Sequence, residues 1–108
     1  MGEWGDSLSL ELVSTGEVLK YMREGDAIII DIRDEAAFLK KHIPGSVLMP
    51  YAGFDENAPI LKAYGNIILC CERGATSLLL GRKLSKKGYK ILSLGGGMEA
   101  WRGPLILE

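Results

Sequence analysis

The stretch that decides the fold runs from Asn66 to Lys87 and reads NIILCCERGATSLLLGRKLSKK. Its first five residues, NIILC, are apolar from Ile67 onward, which is typical of a strand buried on both faces. After a short loop, Leu80 and Leu84 recur at helical spacing, and Gly88 is placed to end that helix. A buried strand that turns directly into a helix is the repeating unit of an α/β domain.

The alternation of strand and helix extends through the rest of the chain. Further strands are predicted from apolar runs at residues 10–13, 27–32, 46–49 and 89–94. Helices are predicted after the capping residues Ser14 and Asp34, over 55–64, where Pro59 weakens the pattern, over 77–87, and shortly before Trp101. This order predicts a single α/β domain over residues 1–108. Its central sheet should be mostly parallel, with about five strands and helices on both faces.

Size and composition favour a small globular protein. The 108 residues are 47% hydrophobic and 25% charged, which suits one domain with one core. No apolar run approaches the ~20 residues that a membrane-spanning helix needs. Residues 1–10 contain Glu3 and Asp6 and no basic stretch before an apolar one, so a secretory signal is not indicated. We therefore expect a cytoplasmic protein without a membrane partner.

The net charge of -1 hides an uneven distribution of charge. Residues 70–108 contain seven Lys or Arg and three Asp or Glu, and four of these cations fall in one predicted helix: Arg82, Lys83, Lys86 and Lys87. They form either a solvated helix face or a cationic rim that attracts anions or an acidic partner protein. A nucleic-acid partner is not expected, because the pI is 5.9 and no aromatic residues interleave with the cations.

The only two cysteines, Cys70 and Cys71, are adjacent. Their spacing rules out a disulfide framework, and a disulfide between neighbours would need a strained ring. With His42 as the only histidine, the chain lacks the soft ligands of a zinc site, and no metal or other cofactor is expected. Thiol chemistry and inert burial remain, and burial is the better interpretation of Cys70, which ends the strand pattern.

Cys71 lies where a predicted strand meets the loop before a helix. Ligands of parallel sheets bind beyond the carboxyl ends of the strands, where Asp31 and Arg33 also fall. Gly74 can supply the positive φ of a sharp turn, which would direct the backbone N–H groups of the loop inward. Such a nest favours a thiolate over a thiol and would stabilise a persulfide anion. From the residues alone, a nucleophilic and a buried Cys71 remain equally good interpretations.

Beyond these patterns, the chain resembles the rhodanese homology domain along nearly its whole length. Four segments carry the resemblance in order: Asp31-Ile32-Arg33; Phe38 followed by KHIPGS at 41–46; IILCCERGATS at 67–77 followed by KKGYK at 86–90; and LGGGMEAW at 94–101. The resemblance implies a sulfurtransferase in which Cys71 takes sulfane sulfur from thiosulfate, mercaptopyruvate or a protein persulfide. The acceptor would be a thiol or cyanide.

The resemblance also assigns roles to individual residues. The backbone amides that would hold the outer sulfur belong to the loop Glu72, Arg73, Gly74, Ala75, Thr76 and Ser77. Asp31, Arg33 and His42 would support the site without taking part in the chemistry. Arg33 would pair with carboxylates, and His42 would fix a turn.

One departure from the family leaves the sulfur donor open. Many thiosulfate-using members have an arginine five residues beyond the cysteine, where this chain has Thr76, and Arg73 is the candidate substitute. Phosphatases of the same fold have a longer loop that ends in an arginine, so phosphatase activity is not expected here. The alternative to an enzyme is a sulfur relay, or a regulatory module that binds a partner protein without turnover.

Overall fold

The computed structural model describes residues 9–108, so nearly all of the segment tested for a secretory signal lies outside the described residues. The strands are β1 (Leu10–Val13), β2 (Ala27–Asp31), β3 (Lys41–His42), β4 (Val47–Leu48), β5 (Asn66–Cys70), β6 (Ile91–Leu94) and β7 (Ile106–Leu107). Five of them form a sheet in the order β1-β6-β5-β2-β4, and every neighbouring pair is parallel. The predicted fold class is confirmed. β3 and β7 form a separate antiparallel pair.

The helices are α1 (Thr15–Glu24), α2 (Glu35–Lys40), α3 (Pro59–Lys62), α4 (Ala75–Lys86) and α5 (Gly97–Ala100). The capping residues predicted from the sequence, Ser14 and Asp34, cap the N-termini of α1 and α2. The N–H of Glu17 donates to Ser14 Oγ at 3.3 Å, and the N–H of Ser14 donates to Glu17 Oε1 at 2.9 Å, which completes a capping box. The N–H of Ala37 donates to Asp34 Oδ1 at 2.8 Å at the start of α2.

Helices cover both faces of the sheet because successive side chains of a buried strand point to opposite sides. On one face, Ile29 and Ile68 of the strands pack with Val18 of α1 and Met98 of α5. On the other face, a second cluster joins the strands to α3 and α4: Ile28, Ile30, Ile67, Leu69, Leu61, Leu80 and Leu84. The all-apolar strands noted in the sequence are thus buried from both sides.

The same alternation separates the two neighbouring cysteines. Cys70 is 0% exposed and packs on the face covered by α1 and α5, whereas Cys71 is 5% exposed and belongs to the α4 face. Burial raises the pKa of the Cys70 thiol well above its ordinary range. Cys70 is therefore a neutral core residue, as the strand pattern indicated.

Several predicted boundaries differ from the structure: the strand expected over 89–94 begins only at Ile91, and the strand expected over 27–32 ends at Asp31. The helix expected over 55–64 is reduced to α3, since residues before Pro59 form turns in which Ala58 N–H donates to Asp55 O at 3.2 Å. Proline lacks an N–H group and fits the first position of a helix, so α3 begins at Pro59. The strand expected over 46–49 shrinks to Val47–Leu48, and α4 begins two residues earlier than Ser77.

Among residues 9–108, no helix combines the length and apolar character needed to cross a membrane.

Candidate active site around Cys71

The sheet order creates a crevice at the carboxyl ends of β2 and β5. These strands are neighbours, yet β4 lies outside β2 and β6 lies on the other side of β5. The chain therefore leaves the two strands in opposite directions, and ligands of open α/β sheets bind at such a point. Cys71 follows β5 directly, and Asp31 ends β2, so the two segments singled out in the sequence meet here.

Backbone amides of the loop and of α4 surround the Cys71 sulfur. Sγ accepts hydrogen bonds from the N–H of Gly74 at 3.1 Å and the N–H of Ser77 at 3.4 Å. Gly74 adopts a φ of 101°, a left-handed conformation that glycine reaches without steric cost, and it precedes α4. The N–H groups of Ala75 and Thr76 have no hydrogen-bond partner within residues 9–108. Two further donors at the start of α4 therefore remain available.

A pair of buried serines contacts the sulfur from the side of the sheet. Cys71 Sγ lies 3.5 Å from Ser77 Oγ, which is 2.7 Å from Ser93 Oγ and donates to Gly74 O at 3.1 Å. Both serines are completely buried. Ser93 is not among the site residues predicted from the sequence. Its only signal was a single polar residue inside the apolar strand ILSL.

The glycine-rich segment before α5 packs against the Cys71 loop. The N–H of Met98 donates to Cys71 O at 2.8 Å, and the N–H of Glu99 donates to Glu72 O at 3.1 Å. A Cβ atom on Gly97 would lie 2.5 Å from each of these two carbonyl oxygens. The absence of a side chain at Gly97 allows this close approach, and the resulting hydrogen bonds fix the loop that carries Cys71.

Arg33 ties the end of β2 to its surroundings. Its side chain bonds Asp31 through Nε at 3.0 Å and Nη2 at 2.8 Å, Lys41 O at 2.7 Å, and Glu72 Oε1 at 3.4 Å. Desolvation lowers the pKa of Arg33, but hydrogen bonding and charge attraction from buried Asp31 outweigh it and leave this pKa raised. The guanidinium stays charged, and its charge is balanced by a carboxylate.

His42 lies outside the cavity. Its Nδ1 is 2.8 Å from Phe38 O, and its ring stacks on Phe38 with centroids 3.9 Å apart. These contacts join the last turn of α2 to β3, which follows it directly.

A cavity of about 330 Å³ opens beside the Cys71 sulfur. Its lining comprises Ile32, Arg33, Asp34, Ala37, Tyr51, Cys71, Glu72 and Thr76. Arg73, the candidate substitute for a loop arginine, is not part of this lining. Its side chain is 79% exposed, and Nε pairs with Glu99 at 3.2 Å. Arg73 therefore does not replace the missing loop arginine in the cavity wall. The apolar part of this wall, formed by Ile32, Ala37 and Tyr51, is not predicted by the sequence.

The cationic residues Arg82, Lys83, Lys86 and Lys87 lie toward the end of α4 that is away from Cys71. Lys83 follows Thr76 by seven residues, about 10 Å along a helix axis. Glu56 pairs with Lys83 at 2.9 Å and with Lys87 at 3.4 Å, and the hydrogen bond from Lys83 lowers the pKa of Glu56. Half of the predicted cationic set is thus already paired, which does not favour a cationic rim at the site.

Fold and site together define an α/β protein that holds one thiol in an amide-lined loop at the carboxyl edge of a parallel sheet. Residues 14–104 match the Rhodanese-like domain, and the chain belongs to this family.

Known proteins with similar sequences include sulfurtransferases. The chain is 32% identical over 90 residues to the thiosulfate sulfurtransferase GlpE of Pseudomonas syringae, with 80% of this chain and 82% of that one covered. It is 38% identical over 81 residues to a tRNA sulfurtransferase of Desulfurococcus amylolyticus, which covers 75% of this chain. The match spans only 16% of the length of that relative.

A solved structure of a rhodanese-related protein from Thermoplasma volcanium shares the fold. The two structures superpose with a TM-score of 0.79 at 21% identity, over 91% of this chain and 99% of the other.

Proposed function

We propose that this protein is a sulfurtransferase that carries sulfane sulfur as a persulfide on Cys71. The observation that carries the proposal is the position of the Cys71 sulfur, which lines the cavity while it accepts hydrogen bonds from two backbone N–H groups. Backbone N–H donors that point at the sulfur would stabilise the negative charge of a persulfide on Cys71, and a thiolate is the nucleophile in sulfur transfer.

The reaction has two half-reactions. In the first, the Cys71 thiolate attacks the outer sulfur of the donor. A new S–S bond forms, the bond between that sulfur and the rest of the donor breaks, and the donor leaves with the bonding electron pair, as sulfite when the donor is thiosulfate. In the second, a thiol or cyanide attacks the outer sulfur of the persulfide and releases the Cys71 thiolate. This is nucleophilic catalysis with ping-pong kinetics.

The loop from Glu72 to Ser77 can hold the intermediate. The N–H groups of Ala75 and Thr76 are unpaired within residues 9–108, and they begin the helix next to Sγ. Helix N-termini bind anions because their N–H groups and the helix dipole both favour negative charge. We assign the N–H groups of Ala75 and Thr76 as the hydrogen-bond donors to the outer sulfur of the Cys71 persulfide.

The relatives support sulfur transfer in general and leave the donor open. GlpE is named for thiosulfate, which makes thiosulfate a candidate donor beside mercaptopyruvate and a protein persulfide. The tRNA sulfurtransferase is mostly made of sequence that has no counterpart in this chain. Transfer to tRNA is therefore not proposed.

A second candidate is a sulfur relay that loads from a protein persulfide and turns over small donors slowly. The observation that favours it is Thr76, which lines the cavity where a cation would grip thiosulfate. The same lack of charge argues against a phosphatase, which must bind a phosphate dianion. A regulatory module without chemistry would not need a thiol among these amides.

Intact-mass spectrometry tests the proposal. After treatment with thiosulfate or mercaptopyruvate, we expect a gain of one sulfur atom, about 32 Da, which cyanide removes because it attacks the outer sulfur. Cys71→Ser should abolish the gain. Cys70→Ala, a matched change of the buried neighbour, should retain it. Equal loss in both variants, or no gain from these donors and from protein persulfides, would overturn the assignment.

A further inference from the structure

The cavity beside Cys71 is lined by more negative than positive charge. Arg33 is the one cation among its lining residues within the described chain, and Asp31 already balances that guanidinium at 2.8 Å. Asp34 and Glu72 add two carboxylates. A charged donor that enters this cavity therefore meets an excess of carboxylates.

The positions of the two acids are fixed by the fold. Asp34, which lines the cavity, caps α2 by accepting the N–H of Ala37, and this hydrogen bond fixes its carboxylate at the start of α2. The side chain of Glu72 is 53% exposed and reaches Arg33 at 3.4 Å from the residue next to Cys71. The positive end of α4 and the amides that bond Sγ lie beside Cys71 in the same site.

This arrangement sets the direction in which a donor binds. The sulfur to be transferred must reach Cys71 Sγ and the amides, so the remainder of the donor points past Glu72 and Asp34. The remainder of thiosulfate is a sulfonate, and that of mercaptopyruvate ends in a carboxylate. Either anion would lie beside carboxylates of the same sign, which is unfavourable at short range.

We infer that Glu72 and Asp34 select the sulfur donor by charge, and that the donor is a persulfide whose carrier is neutral or positively charged beside the sulfur. The inference rests on the proposed persulfide chemistry of Cys71. The step is Cys71–S⁻ + R–S–SH → Cys71–S–SH + R–S⁻. One S–S bond forms, one breaks, and no external oxidant or reductant is needed.

A matched series of small persulfides, HS–S–CH₂CH₂–X, tests the selection. X is an ammonium, a hydroxyl or a carboxylate, and the rate of the 32-Da gain on Cys71 is measured for each at low ionic strength. The intrinsic reactivity of the donors differs, so the informative quantity is the ratio of the variant rate to the wild-type rate for each donor. Intrinsic differences cancel in this ratio.

Glu72→Gln keeps the oxygen that accepts from Arg33 and removes the charge. We expect it to slow the ammonium donor about threefold or more, to leave the hydroxyl donor within about twofold, and to speed the carboxylate donor by about threefold or more. Asp34→Ser, which keeps a capping oxygen, should change the ratios in the same direction. High salt should reduce both effects, because the mouth is open to solvent.

Glu24→Gln is the control for net charge, because exposed Glu24 ends α1 at the opposite edge of the sheet. Its three ratios should stay near one. Charge selection is overturned if the rate ratios of Glu72→Gln and Asp34→Ser both stay near one, or if Glu24→Gln changes its ratios equally. Either result leaves sulfur transfer by Cys71 intact. No gain of sulfur from any donor in the wild-type protein overturns the proposed function itself.

Discussion

The hydroxyl oxygens of Ser77 and Ser93 lie 2.7 Å apart, and Ser77 Oγ is also 3.5 Å from the sulfur of Cys71. Each hydroxyl has one hydrogen to donate. When Ser93 donates to Ser77, the Ser77 hydrogen is left for Gly74 O or for the Cys71 sulfur. A buried side chain of β6 can thus orient a donor toward the nucleophile without touching the nucleophile itself.

Ser93→Ala should slow the formation of the Cys71 persulfide about three- to tenfold, because Ser77 loses the partner that orients its hydroxyl toward a charged sulfur. The measurement is the second-order rate of sulfur gain at fixed pH and donor concentration. Ser85→Ala is the matched control, since it also deletes a buried hydroxyl. Ser85 lies in α4, and its hydroxyl donates to Arg82 O at 3.0 Å. If both variants react at the wild-type rate, Ser93 has only a structural role.

Gly97→Ala should disrupt the site through its backbone. The new Cβ would lie 2.5 Å from Cys71 O and Glu72 O, and φ is 65°. We expect a loss of about 2–4 kcal/mol in the free energy of unfolding, measured in urea, with slower sulfur gain. Gly53→Ala also sits at positive φ, but no atom lies within 4 Å of its Cβ. Gly53→Ala should lower the free energy of unfolding by only about 1–2 kcal/mol and leave the rate of sulfur gain unchanged. Equal effects of Gly53→Ala and Gly97→Ala would refute the packing argument.

The elements of the fold could be predicted because their signals are local. Capping at Ser14 and Asp34, the buried strand at 66–70 and the turn at Gly74 each depend on neighbouring residues, and the structure retains them. The charge of the cavity could not be predicted, because Asp34 and Glu72 come from different strand ends. The outward direction of Arg73 depends on its pairing with Glu99, which no spacing reveals.

Cys70 should make stability fall in alkaline solution. Burial raises its pKa above the ordinary value of 9.0, so above that pH the unfolded chain loses a proton that the folded chain keeps. The contribution of the protonated Cys70 thiol to the free energy of unfolding is complete below about pH 9. It is lost as the pH rises toward the pKa of Cys70 in the folded protein. From pH 7.5 to 10.5, the wild type should lose about 2 kcal/mol more than Cys70→Ala in urea unfolding under reducing conditions. Equal losses would contradict a buried neutral thiol.

Thr76→Arg should improve the use of thiosulfate. Thr76 lines the cavity, so an arginine there adds a cation to a cavity whose lining carries more carboxylates than cations. A charge-assisted hydrogen bond contributes about 1.5–3 kcal/mol, so kcat/KM for thiosulfate should rise about tenfold or more.

Two measurements distinguish a cation that binds the donor from a general change in net charge. One is the separate effect of Thr76→Arg on kcat and on KM, and the other is a control variant at a neighbouring residue. A cation that binds the donor before reaction lowers KM and leaves kcat nearly unchanged. Leu79→Arg places the same charge one turn further along α4, on an exposed residue outside the cavity lining, and should give a much smaller gain. A cavity that rejects anions for lack of a cation must respond to Thr76→Arg. An unchanged KM in a folded Thr76→Arg variant would mean that charge at this position does not limit the donor.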